Sequence, residues 1–246
     1  MNILRLAGLL SLASILLPLH AESVSGRIVI TKKLTRRRVT APVPLYDRGP
    51  VVGLGTDTED DPLAFERSRV VVYLEGRAPA GEPPPAGSQS VARIDQQKRR
   101  FSPETLIVEA GSKVSFPNFD PIFHNVFSLS RAKTFDLGNY PMGETRVVTF
   151  PDPGIVYVNC HLHSNMSATI VVAPNRWNAK ADRDGAFELP DVPPGRYTIV
   201  AWHKAAGFFR QQITVTQGQG AHVQFLIPIH YDNKNDPETL SRTAAK

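Results

Sequence analysis

From Phe101 onward the chain is a succession of short runs of β-branched and aromatic residues, and this pattern limits the fold more than any other feature. The runs are Leu106-Ile107-Val108, Lys113 to Phe116, Arg146 to Phe150, Ile155 to Cys160 and Ala168 to Val172. Between them stand turn signals at Ala110-Gly111, Pro117-Asn118, Pro141-Met142-Gly143 and Asp152-Pro153-Gly154. Punctuation this dense leaves no room for long helices and predicts an all-β chain of sandwich or barrel type. The 17 glycines and 21 prolines point the same way.

The style continues from Asn175 to Pro228, where Phe187 and Leu189, Tyr197 to Trp202, Ile213 to Val215 and Val223 to Ile227 read as strands around the tight turns Asp184-Gly185 and Pro193-Pro194-Gly195. Near the start, Val24, Ile28 and Ile30 alternate with Ser25, Arg27 and Val29, and Arg69 to Leu74 forms a second strand-like run. Ala41 to Pro62 is a long excursion with little periodicity. Arg77 to Ser90, with prolines 83–85, reads as a semi-rigid spacer and sets a boundary. The expected organisation is a leader over 1–21, an N-terminal β region with Pro/Gly-rich loops over 22–97, a central β domain over 98–174, a third β region over 175–230 and a polar tail over 231–246.

Arg5 precedes the apolar run Leu6 to Leu17, and Leu19-His20-Ala21 offers a small-residue cleavage site, the pattern of a secretory leader. The run falls short of the roughly 18 apolar residues that span a bilayer, so the expectation is a periplasmic or secreted protein without stable membrane insertion. The formal net charge of +5 changes little on removal of Arg5 with the leader. Part of the excess sits in Lys32, Lys33, Arg36, Arg37 and Arg38, a run that reads as a solvated edge or as a surface for an acidic partner. Without interleaved aromatics or a nucleic-acid motif, nucleic acid is excluded as a partner class.

Cys160 is the only cysteine. In an exported chain it forms no internal disulfide, so it is inertly buried, pairs with another chain, or is held as a thiolate by a metal. Its neighbours decide. Cys160, His163 and Met166 lie within NCHLHSNM at the end of a strand. A soft thiolate, an imidazole and a thioether this close are a ligand set for copper. Strand alternation puts Val156, Val158 and Cys160 on one face, so His161 points the other way. A further ligand is His124, between Phe123 and Phe127 in NFDPIFHNVFS, where an imidazole among aromatics is shielded from water. His124, Cys160 and His163 with a weak axial Met166 form the trigonal arrangement of blue-copper electron transfer. Asn125 would support it by donating hydrogen bonds to the sulfur and pinning the two ligand segments together. Zinc is the rival metal, since it takes His and Cys but has little use for a thioether. Met166 reads alternatively as core filler, and Met142 as packing in a turn. His203, His222 and His230 read as solvent-facing or hydrogen-bonded.

Residues 98–174 resemble a cupredoxin, of the plastocyanin and amicyanin family. GSKVSFPNFDPIFHNVF is similar to that family's strand, asparagine loop and His-Asn segment, MGETRVVTF to its following hairpin, and PGIVYVNCHLHSNM to its ligand loop, whose Cys-x2-His-x2-Met spacing is of the short amicyanin type. The resemblance implies a Greek-key β-sandwich holding one type 1 copper ion on His124, Cys160, His163 and Met166, with Asn125 as loop clasp. His161 departs from the family pattern. DRDGAFELPDVPPGRYTIVAWH resembles a carboxypeptidase regulatory-like, or prealbumin-like, β-sandwich, a domain usually accessory in that family, and VVVYLEG faintly resembles a related sandwich.

The function these expectations favour is an exported carrier of single electrons between redox partners. By resemblance the electron leaves through His163 at the rim, toward a partner protein, acidic or a cytochrome. The alternative is periplasmic copper storage or delivery without a redox role. Such carriers tend to offer open Met and His sites, and here only three methionines occur, one of them the initiator. A multicopper oxidase or copper nitrite reductase would need further histidine clusters, whereas the chain has seven histidines in all, one of them in the leader. No Ser-His-Asp pattern, phosphate loop or HExxH helix is present, so the expectation is not an enzyme. A structural or adhesive protein with a redox-silent site is a further possibility.

Overall fold

The structure is a computed structural model that describes residues 22–34, 61, 63–76 and 91–228. The leader, Arg36 to Arg38, most of the excursion from Ala41 to Pro62, the spacer Arg77 to Ser90, His230 and the polar tail lie outside the described residues. The described chain is all β apart from one helical turn, as the punctuation predicts. In order it runs β1 (Glu22–Ile30), α1 (Ala64–Arg67), β2 (Val71–Leu74), β3 (Ala92–Arg93), β4 (Asp95–Gln97), β5 (Arg100–Ser102), β6 (Thr105–Glu109), β7 (Ser112–Pro117), β8 (His124–Ser130), β9 (Lys133–Tyr140), β10 (Thr145–Phe150), β11 (Gly154–Asn159) and β12 (Ser167–Ala173). It continues through β13 (Asn178–Lys180), β14 (Ala186–Val192), β15 (Gly195–His203), β16 (Gly207–Val215) and β17 (Ala221–Ile227).

The strands build two sandwiches. In the central one, a sheet of order β10-β7-β3 and a sheet of order β6-β12-β11-β8-β9 close over Val114, Phe116, Phe150, Val156, Val158 and Ile170, with the hairpin β4-β5 at its side. Each of these strands contributes alternate residues to that core because successive side chains of a strand point to opposite faces. Two of its strands, β8 and β9, are not among the runs that the sequence pattern marks. Both carry polar residues at alternate positions, and β9 is an edge strand with most of its residues exposed or half-buried, so neither shows the apolar run by which the buried strands announce themselves.

The other sandwich differs from the expected organisation. A sheet of order β14-β1-β17 and one of order β13-β2-β15-β16 share one core that includes Val24, Ile28, Val72, Leu74, Leu189 and Phe225. Residues 22–97 are therefore not an N-terminal region of their own. β1 runs antiparallel to β14 and parallel to β17, with Val24 opposite Ala221 and Ile30 opposite Ile227, while β2 lies between β13 and β15. The central sandwich, with β3 and β4 belonging to it, is inserted between β2 and β13. The physical reason is plain: two strands alone cannot bury an apolar face, and β1 and β2 find theirs in the C-terminal section.

The two sandwiches meet where Val71, Val171 and Trp202 pack together, flanked by Tyr73, Ile107 and Ile155. Next to Trp202, the buried His203 places Nε2 3.2 Å from a buried Glu66 carboxylate oxygen, and its Nδ1 accepts the Ala205 N–H at 3.2 Å. Burial holds this imidazole below its ordinary value, with Glu66 opposing and Arg69 reinforcing the effect.

Gly26 tests the shared sandwich. A Cβ at this position would stand 2.1 Å from the Val223 carbonyl oxygen and 2.5 Å from the Phe187 ring, so β1 fits between β14 and β17 only without a side chain. Gly26→Ala is expected to lower stability by about 1–3 kcal/mol, the usual cost of overpacking, seen as a lower thermal midpoint by circular dichroism. An unchanged midpoint would contradict the pairing of β1 with both neighbours.

Candidate metal centre

The site assembles at one end of the central sandwich. β11 delivers Cys160 as the first residue beyond its end, with the sulfur on the face shared by Val156 and Val158, and all three are buried in the same core. Asn159 pairs with Ser167 on β12, so residues 160–166 form a loop whose two ends are held side by side by the β11–β12 ladder. A Met166 N–H bond to the His163 carbonyl at 3.0 Å tightens that loop. From the opposite side, β8 supplies His124 as its first residue, fully buried and paired with Tyr140 on β9.

These elements bring His124, Cys160 and His163 together, one donor atom from each lying within 4.8 Å of the other two. The Nδ1 atoms of His124 and His163 are 3.1 Å apart, and the Cys160 sulfur is 3.7 Å from His163 Nδ1. Donors this close can share one ion with metal–nitrogen bonds of about 2.0 Å and metal–sulfur bonds of about 2.3 Å. The donor set of one thiol and two imidazoles, buried or half-buried, therefore fits a soft transition-metal ion. Met166 is 1% exposed and lies in the same core cluster as Cys160. The central helper is Asn125, whose backbone N–H points to the Cys160 sulfur at 3.4 Å. Its side-chain oxygen accepts the His161 N–H at 3.4 Å, and its amide donates to Asp136 at 2.7 Å. One residue thus connects β8, β9 and the start of the ligand loop. His161 turns away from the cluster: it stacks on Phe127 with ring centroids 3.7 Å apart, and its Nε2 is 3.4 Å from Asp136.

Electrostatics favour the neutral form of His163. Burial, followed by His124 and Arg99, holds His163 below its ordinary value, with Asp120 opposing. A neutral imidazole is the form that binds metal.

Asp120 is a group beside the cluster that the sequence pattern leaves unmarked. Its Oδ2 lies 2.8 Å from His124 Nε2, and its oxygens also accept the N–H groups of Lys98 at 2.6 Å and Arg99 at 2.7 Å. Desolvation raises its carboxyl, but the Arg99 N–H, His124 and the Lys98 N–H outweigh it and hold the group below the usual carboxylate range. The only sequence signal is its position four residues before His124, in a Pro-containing stretch that reads as a turn.

Tyr140 anchors the other side of His124. Fully buried, it donates to the Phe116 carbonyl at 2.9 Å and accepts from Gln96 Nε2 at 2.5 Å, and burial pushes its phenol up to about 12. Asn118, bonded to the Tyr140 and Ile122 carbonyls, fixes the segment that leads into β8.

Residues 175–223 match the family described as polysaccharide lyase family 4, domain II, an fn3-type domain. That stretch includes the one that resembles a prealbumin-like sandwich. No curated protein matches the chain. Among solved structures, the Cu-containing nitrite reductase NirK from Thermus scotoductus SA-01 is similar at 22% identity with a TM-score of 0.33, covering 41% of this chain and 25% of that one. This chain thus spans about a quarter of the reductase. A purple cupredoxin from Nitrosopumilus maritimus is similar at 21% identity and a TM-score of 0.31, covering 33% of this chain and 99% of that one. An amicyanin variant in its Cu(I) form is similar at 18% identity and a TM-score of 0.32, over 41% of this chain and 97% of that one. Each likeness covers less than half of this chain.

The raised phenol of Tyr140 gives a prediction with a definite sign. A group whose pKa is higher in the folded state than its unfolded value of about 10 adds stability at lower pH, and that contribution fades as pH rises from about 10 to about 12. The wild type is expected to lose stability across this window in denaturant melts. Tyr140→Phe should be about 1–3 kcal/mol less stable at neutral pH, because Gln96 and the Phe116 carbonyl lose a buried partner, and should show a flatter alkaline slope. Equal slopes in the two proteins would exclude Tyr140 as the source.

Proposed function

We propose that this protein is an exported copper protein of cupredoxin type that carries single electrons between redox partners. The observation that carries this reading is the convergence of the Cys160 sulfur with the Nδ1 atoms of His124 and His163 at the end of a β-sandwich. Met166, buried in the same core as Cys160, would be a further, weak ligand, and Asn125 would act as the clasp. His124, Cys160 and His163 would hold a copper ion, which would supply one-electron chemistry.

The chain's own residues perform the rest. The β8, β11 and β12 ladders hold the donors on rigid elements, so little rearrangement accompanies a change of charge. The core around Cys160 excludes water from the sulfur. His163 is half-buried in the ligand loop beside the exposed Leu162, and in this reading it is the group nearest a docked partner. Phe119 and Phe123 are exposed around the Asn118–Asp120 turn, and Met142 is exposed on the turn bonded to Asn118. Together these side chains give that end an apolar face for transient docking. With Lys98 and Arg99 exposed close by, the preferred partner carries acidic groups. No helix among the described residues is long and apolar enough to cross a membrane, and the proposed export rests on the leader.

The test is to load the protein with Cu(II). Wild type is expected to develop intense thiolate-to-copper absorption in the visible and to be reduced by one electron, whereas Cys160→Ser loses the band entirely. Absence of the band in the wild type overturns the reading. Rapid surrender of the ion to a mild chelator would move the assignment to copper storage or delivery.

A further inference from the structure

Two residues beside the site adopt a backbone conformation that their side chains disfavour. β4 and β5 form a hairpin in which Gln97 pairs with Arg100, leaving Lys98 and Arg99 as a two-residue turn with φ of 53° and 52°. A turn of this hand ordinarily uses Asn-Gly, because both central residues occupy the left-handed region. Residues bearing a Cβ are disfavoured there and persist only where the surroundings hold them. Here the holding group is the buried carboxylate of Asp120, which takes the Lys98 N–H on one oxygen and the Arg99 N–H on the other.

The oxygen that receives the Arg99 N–H also faces His124 Nε2. This shared atom links the turn to the imidazole. Each Asp120 oxygen already accepts a backbone N–H, so toward His124 the carboxylate acts as an acceptor, and in the neutral ring that places the proton on Nε2 and leaves Nδ1 bare. The bare Nδ1 is the atom 3.1 Å from His163 Nδ1. A carboxylate that served the hairpin alone would have no need to meet a fully buried histidine from behind.

We propose that Asp120 is a positioning residue of the metal centre: it fixes His124 in the tautomer whose Nδ1 is open to an ion, and its buried negative charge favours the more positive oxidation state of that ion. The second half rests on the function proposed above, whereas the first half concerns the protein without metal. Carboxylate–histidine pairs of this kind orient a ligand and raise its basicity. A fixed negative charge behind the imidazole, in a site poor in water, stabilises Cu(II) relative to Cu(I) and lowers the reduction potential.

The experiment has two arms. In metal-free wild type, nitrogen-15 NMR of the imidazoles is expected to show His124 as a single Nε2-protonated tautomer with a slowly exchanging proton, and Asp120→Ala to show mixed tautomers and fast exchange. In copper-loaded protein, Asp120→Asn keeps an acceptor for the turn but removes the charge. It is expected to retain the thiolate band while its reduction potential rises above that of the wild type. Nδ1 protonation of His124 in the wild type, or equal potentials in wild type and Asp120→Asn with the band intact, would overturn the proposal. A wild type that develops no thiolate band refutes the electron-carrier reading, and the tautomer of the metal-free protein then still decides the role of Asp120. Because that measurement is made on the wild type, it stands even if a variant fails to fold.

Discussion

The centre depends on how β8 and β11 meet. Their ladder pairs Asn159 with Phe127, while on its other side β8 goes on pairing with β9 through Asn125 and His124, past a register shift between Asn125 and Phe127. The Asn125 N–H, which a regular strand would give to a carbonyl, turns to the Cys160 sulfur instead. That exchange gives a buried sulfur a polar partner and sets its distance from the imidazole on the neighbouring strand. A regular ladder continued by one more residue would hold both chains in β pairing and leave no space for donors to converge. The place where β8 and β11 part thus belongs to the site as much as the side chains do.

Much of this was legible in the residues, for reasons that differ by element. β7, β10, β11 and β12 carry β-branched runs between turn signals, and Cys160, His163 and Met166 are neighbours in sequence, so local pattern suffices for them. Alternation also predicts that His161 and Cys160 face opposite ways, and the stacking of His161 on Phe127 agrees. What stayed hidden depends on long-range partners. β1 pairs with β17 across nearly the whole chain, and no local pattern encodes that choice. Asp120 beside Pro121 reads as an ordinary turn residue, and Lys98-Arg99 does not look like a tight turn at all, because its conformation is imposed by a carboxylate that lies elsewhere in the sequence.

The joining of the two sandwiches explains a feature of β12 that the central unit alone does not. Ala168, Ile170 and Val172 point into the central core, as alternation requires. Val171, on the opposite face, is also buried, against Val71 and Trp202 of the other sandwich. From Ala168 to Ala173 the strand is therefore buried on both faces, as in a strand covered on both sides and not in a sheet with one face in water. The second sandwich acts as a cover for the strand that closes the ligand loop. An appended module joined only by a flexible linker would have no such effect on its neighbour's sequence.

The same logic bears on charge. In the seam, a carboxylate and an imidazole, Glu66 and His203, are both buried, whereas at the site the carboxylate of Asp120 faces His124 across a similar distance. The two pairs differ in what lies beyond the ring. His203 Nδ1 accepts a backbone N–H from Ala205 and its Nε2 lies 3.2 Å from the Glu66 carboxylate, so each nitrogen faces a group of the protein's own seam. His124 Nδ1 faces another imidazole nitrogen, with a thiol close to both. With Asp120 behind its Nε2, His124 turns Nδ1 to a second imidazole nitrogen and a thiol, a junction that a proton or a cation can bridge. The seam histidine faces a carboxylate and a backbone N–H and offers no such junction.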